Sequence, residues 1–136
     1  MRNSEAERIF RLNLELSTET LMAAAPELEV LGLEPKAFFV LDGIDAQPFP
    51  ASLARHLSMP RPTITAYIKA LETAGLVTRA IDPQDLRRHR IALTTHGRKV
   101  LTKARASLAK HYGNKLARLS DDDVAEFARL LEALTR

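Results

Sequence analysis

Apolar positions in the first part of the chain recur at helical spacing. Residues 4–24 read as one helix, because Ile9, Leu12, Leu16 and Leu21 return on one side of it. Ser4 stands where a capping hydroxyl belongs, and Glu5 and Glu7 suit the positive end of the helix dipole. Pro26 and Gly32 mark its exit. Glu34-Pro35 opens a second helix, with proline in the first turn, where its missing N–H costs nothing. Ala37, Phe38, Val40, Leu41 and Ile44 form its apolar face, and the segment from Gly43 to Pro50 ends it. Residues 50–58 read as a short third helix that buries Leu53, Ala54 and Leu57. Met59 to Pro62 is a turn, since it holds two prolines one residue apart. A fourth helix spans 61–74 and stops at Gly75.

The period then changes. Leu76 to Ile81 reads as a strand, Asp82-Pro83-Gln84-Asp85 as a turn, and His89 to Leu93 as the return strand. Helical spacing resumes over 95–117 through Val100, Leu101, Ala104, Leu108 and Tyr112. Ser120 followed by Asp121, Asp122 and Asp123 announces a last helix, 121–135, with Val124, Phe127, Leu130, Leu131 and Leu134 as its stripe. The fold class is therefore mainly α (α+β): one hairpin among helices, in a single domain over residues 1–136. Helix, turn, helix and hairpin in succession over 50–94 make a winged helix-turn-helix.

The second helix of that unit has two unlike faces. On a helical wheel Ile64, Ile68 and Leu71 cluster, while Pro62, Thr65, Ala66, Lys69 and Thr73 fall opposite. Small and polar groups with one cation suit close approach to base edges and phosphates. Arg61 and Thr63 sit at the helix start, where free N–H groups favour phosphate. The hairpin adds Arg87, Arg88 and Arg90, and guanidinium groups are drawn to narrow minor grooves. Asp85 is placed to brace Arg87 through a bidentate contact.

Charge supports the same unit. The net charge is +3, but residues 1–50 carry −5, residues 51–100 carry +6 and residues 101–136 carry +2. A concentrated basic segment is the footprint of a polyanion partner. It also disfavours the alternative of a winged-helix protein–protein interaction module with no operator of its own.

Other chemistry lacks a centre. There is no cysteine, which removes disulfides, thiolate catalysis and Cys-based zinc sites. His56, His89, His96 and His111 fall in no H-E-x-x-H pattern, and the three aspartates at 121–123 point different ways on a helix. No phosphate-binding glycine loop or Gly-x-Ser-x-Gly occurs. We therefore expect no enzyme, no cofactor and no metal. No apolar run approaches the ~20 residues of a membrane span, and no secretory leader is seen, so a cytoplasmic location is expected. The terminal helices carry more apolar surface than the central lobe can cover. That makes Ile9, Leu12, Leu16, Phe127, Leu130, Leu131 and Leu134 candidates for a homodimer interface.

Four stretches together carry a family resemblance: Leu53-Ala54-Arg55-His56-Leu57, Arg61-Pro62-Thr63-Ile64-Thr65, Leu71-Glu72-Thr73-Ala74-Gly75-Leu76-Val77 with Arg79, and Asp82-Pro83-Gln84-Asp85-Leu86-Arg87 through Leu93-Thr94-Thr95-His96-Gly97. In order and spacing they resemble the MarR family of winged helix regulators. Leu86 departs from the pattern, standing where the family usually has arginine, and Pro60 and Ala66 depart as well. The resemblance implies a two-fold dimer, with 1–32 and 97–136 as dimerisation helices and 33–96 as the DNA-binding lobe. It implies helix 61–74 in the major groove and wing 82–90 in the minor groove of a pseudo-palindromic operator. It further implies a repressor released by a small, often aromatic effector, for which Phe38, Phe39, Phe49 and Tyr67 are candidate pocket linings.

Overall fold

In a computed structural model, which describes residues 2–136, the chain runs α1 (Asn3–Val30), α2 (Pro35–Gly43), α3 (Pro50–Leu57), α4 (Arg61–Thr73), β1 (Val77–Asp82), β2 (Asp85–Leu93), α5 (Thr95–Leu116) and α6 (Asp121–Thr135). Helices α2 to α6 start and stop where the periodicity places them, within a residue or so. Helix α1 departs at both ends. Arg2 holds the cap position without a side-chain bond, so Ser4 lies inside the helix and caps nothing. The helix also continues through Pro26 to Val30. Packing decides this: Ala24 and Leu28 are fully buried on one side, while Pro26 and Met22 lie on the exposed side. The Met22 carbonyl, which loses its N–H partner, is therefore near water rather than core.

Glycine ends both long approaches to the lobe. Gly32 (φ 78°) follows α1, and the Leu33 and Gly32 N–H groups donate back to the carbonyls of Leu28 and Glu29 at 2.9 Å each. Gly75 (φ 77°) does the same after α4, with Leu76 and Gly75 donating to Leu71 and Glu72. Between α3 and α4, Ser58 takes a left-handed φ of 52°.

The core joins residues from nearly every element. Leu28, Val40, Leu41, Ile44, Leu53, Ile64, Ile68, Ile91 and Leu101 are the largest fully buried side chains. This single cluster runs from Ala24 to Ala104, so it crosses both ends of the expected 33–96 lobe. Ion pairs lie over the same joint: Asp45 takes Arg98 at 3.0 Å, Asp42 takes Arg105 at 2.7 Å, and Glu27 takes Lys110 at 2.6 Å. By contrast α6 buries no residue, and the first half of α1 is exposed apart from the half-buried Leu16.

Thr94 and Gly97 fix the wing to α5. The Thr94 hydroxyl accepts from the Gly97 N–H at 2.9 Å and donates to the Gly75 carbonyl at 2.6 Å. A side chain at Gly97 would place its Cβ 1.9 Å from the Leu76 carbonyl oxygen. Ser120 caps α6 as expected, accepting from the Asp123 N–H at 3.1 Å.

Candidate nucleic-acid interface

Helix α4 turns Ile64, Ile68 and Leu71 into the core and leaves Arg61, Pro62, Thr65, Ala66, Lys69 and Thr73 exposed, with Thr63 half-buried. The Thr65 and Thr73 hydroxyls donate to the carbonyls of Arg61 and Lys69 at 3.0 Å each. Their donors are thus used locally, and what they present outward is an acceptor oxygen and a methyl group.

The wing is an antiparallel pair in which Val77 faces Leu93, Arg79 faces Ile91 and Ile81 faces His89. The return strand begins at Asp85, four residues before the expected His89. Asp82 pairs with Asp85 across Pro83 and Gln84. The register therefore jumps between Ile81 and Asp82, and Leu86, Arg87 and Arg88 have no opposite number on β1. The tip is a tight turn, and these three residues bulge from the strand rather than sitting in a loop.

Neighbouring arginines on that bulge are employed differently. Arg87 is 92% exposed, and its backbone N–H and Nε both reach the same Asp85 oxygen, at 3.1 and 3.2 Å. The expected bidentate contact is replaced by this one-oxygen arrangement, because Asp85 must also serve the bend of the backbone. Arg88 instead donates at 2.7 Å to Asp82, which is buried, and its guanidinium lies 3.9 Å above the centre of the Phe49 ring. Arg90 approaches the same ring at 5.7 Å. Arg88, with the Gln84 N–H, holds the Asp82 carboxyl below its ordinary range. The Ile91 N–H donates to the Pro48 carbonyl at 2.7 Å, so the wing is tied to the segment before α3 by backbone as well as side chain.

Helix and wing meet. One cleft is lined by Arg61 and Thr65 from α4, by Arg79, Arg87, Arg88 and His89 from the wing, and by Pro50. The sequence had singled out Arg61, Thr65, Arg87 and Arg88 for this task. It had not singled out Arg79 or His89, nor Asp82 as the buried brace. Asp82-Pro83 reads as turn chemistry, and only the bulge brings Asp82 beneath Arg88.

The proposed effector set does not assemble. Phe38 is core and touches Phe39 edge-on at 5.5 Å. Phe49 lies beneath the wing arginines, and Tyr67 lines a shallow depression on α4 with Pro62, Thr63, Ala66 and Ala70. The Glu34 carboxylate beside it pushes the Tyr67 phenol up. Phe39 alone borders a second open depression, mostly apolar and of about 330 Å3, with Ser17, Thr20, Leu21, Leu108, Ala109 and Tyr112. The four aromatics failed as a set because aromatic type says nothing of direction, and they sit on three different faces.

Of the residues expected at a dimer interface, Ile9, Leu12, Leu130 and Leu134 are exposed, and Leu16, Phe127 and Leu131 are half-buried. Phe10 and Leu14 are exposed beside them. Among the described residues no three His, Asp or Glu side chains gather as metal ligands would, and no helix is long and apolar enough to cross a membrane.

Comparison with known proteins agrees with this architecture. A model of the MarR family matches residues 36–89, from α2 to the wing. An HTH-type transcriptional repressor of Mycobacterium tuberculosis is 31% identical over 128 residues, covering 93% of this chain and 89% of its own. The transcriptional repressor CouR, solved with a 23-mer DNA duplex, is 30% identical with a TM-score of 0.74, over 95% of this chain and 90% of that one. A mutant of MarR from E. coli, solved with operator DNA, shares the fold at a TM-score of 0.76 and 24% identity, over 97% and 96% of the two chains. The chain belongs to the MarR family of winged helix-turn-helix transcription regulators.

Proposed function

We propose that this regulator, which is not an enzyme, represses transcription as a homodimer on a pseudo-palindromic operator. In this reading α4 enters the major groove and the wing enters the adjacent minor groove. The observation that carries it is the shared cleft, where Arg61 and Thr65 of α4 face Arg79, Arg87 and His89 of the wing. A helix start and a hairpin that bring Arg61 together with the 92%-exposed Arg87, with Arg79 held beside them by Glu72 at 3.3 Å, match a phosphate strand running between two grooves. Solved relatives bear duplex DNA, CouR among them.

The dimer is supported by the apolar surface that the chain leaves uncovered on α6 and on the first half of α1. Two copies joined there present two α4 helices to two half-sites. For a small aromatic effector, the place supported is the apolar depression bordered by Phe39, Leu108 and Tyr112, with Ser17 and Thr20 also among its lining residues. It lies between α1, α2 and α5, so a ligand there bears on the joint between dimer helices and lobe. Access to the chromosome puts the protein in the cytoplasm of a bacterial cell.

The test is selection of a duplex from a randomised pool, followed by titration at two salt concentrations. A palindromic preference with steeply salt-dependent affinity is the expected result. Equal, weak binding to selected and scrambled duplexes would overturn sequence-specific repression.

A further inference from the structure

The wing tip carries an apolar side chain that neither the core nor the basic cleft uses. Leu86 is 77% exposed, although the residues around it are Asp85, Arg87 and Arg88. It is absent from the lining of the cleft that Arg87, Arg88 and His89 share. It sits first in the three-residue bulge, where no strand partner constrains it. That bulge is held at its far end: Arg88 is fastened to the buried Asp82 at 2.7 Å and stacked on Phe49 at 3.9 Å. Asp85 fixes the near end through the Arg87 N–H. A leucine displayed on a braced turn loses little further freedom when it makes a contact.

We propose that Leu86 is a specificity-determining residue. It presses on the floor of the minor groove and selects A·T pairs beneath the wing. This rests on the operator reading above, which brings the wing to that groove. The chemistry follows from what the floor displays. A·T pairs in either orientation show only acceptors there, whereas G·C adds the guanine 2-amino group. Leucine can lie against the smooth A·T floor, but it buries the 2-amino group with no acceptor to offer it. Leucine is among the apolar side chains that proteins insert into the minor groove, as wedges between base steps, beside the polar side chains that read its pattern and width. Arg87 then supplies the attraction to phosphate, and Leu86 supplies the discrimination.

The experiment uses the duplex that the full-length protein selects, with the A·T pairs under the wing replaced by G·C or by inosine·C. Inosine keeps the major-groove face of guanine and lacks the 2-amino group, so it isolates the minor-groove contact. Wild-type affinity should fall about tenfold on G·C and return on inosine·C. In Leu86→Ala the difference between G·C and inosine·C should vanish. In Leu86→Arg the dependence of log affinity on log salt should steepen by about one. A G·C penalty that persists unchanged in Leu86→Ala, or that is missing in the wild type, overturns the role of Leu86 and leaves operator binding standing. Failure of the wild type to select any duplex overturns operator binding and this role with it.

Discussion

Arg87 and Arg88 show how one residue step changes the role of the same side chain. Arg87 is free on its outer side, while Arg88 is committed to Asp82 and Phe49. Replacing Arg87 by alanine should lower operator affinity about tenfold and reduce the salt slope by about one. Hydrogen exchange of the hairpin amides should not change. Replacing Arg88 by alanine leaves the Asp82 carboxylate buried without its partner, so the same amides should exchange faster. Equal exchange in both variants would show that the brace does not hold the wing. At this scale the helical wheel was legible: every residue placed on the outer face of α4 from sequence is exposed there. Asp82 was not legible. Its partner is six residues away across an irregular register, and no periodicity encodes a bulge.

At the scale of elements, the motif Leu93-Thr94-Thr95-His96-Gly97 gains a physical reading. Thr94 ties the end of β2 to the start of α5 and to the turn after α4, and Gly97 lets the α5 backbone lie against Leu76. Gly97→Ala puts a methyl carbon where backbone oxygen already stands. It should destabilise the fold by roughly 3 kcal/mol, seen as a large drop in Tm. An unchanged Tm would mean that the two segments are free to part. The joint between α1 and α5 has a titratable counterpart. Lys110, with His111 at 2.8 Å, holds Glu27 well below its ordinary value, to about 2. A carboxylate whose folded pKa is depressed stabilises the fold above its unfolded pKa, and that contribution fades as pH falls through the folded value. Between roughly pH 5 and pH 3 the wild type should therefore lose more Tm than Glu27→Gln. Parallel curves would show that Glu27 does not clamp the two helices. Sequence placed both helices but not this clamp, because Glu27 lies beyond Pro26, where the pattern had ended α1.

For the whole molecule, the chain by itself leaves an apolar stripe of α6 uncovered. Its core closes over the lobe and the inner halves of α1 and α5, yet α6 buries nothing. This was legible as a surplus of apolar stripes, since a helix can be amphipathic only toward something. What the stripes could not give was the partner, because a periodicity records a face and not what covers it. In the proposed dimer a second copy covers α6, and operator symmetry would follow from it, with two lobes spaced for half-sites about one turn (~34 Å) apart. Leu130 lies mid-stripe on α6 and is 46% exposed, so Leu130→Asp costs the monomer little and sets a charge into the dimer face. The variant should elute as a folded monomer at micromolar concentration. Its operator affinity should fall by about 100-fold or more, because the second lobe no longer binds at high effective concentration. A half-site duplex should be bound equally by both proteins, which separates lost bivalency from a damaged α4. If Leu130→Asp remained dimeric with full operator affinity, the interface would lie away from this stripe. The exposed Ile9, Phe10, Leu12 and Leu14 of α1 would then be where to look for it.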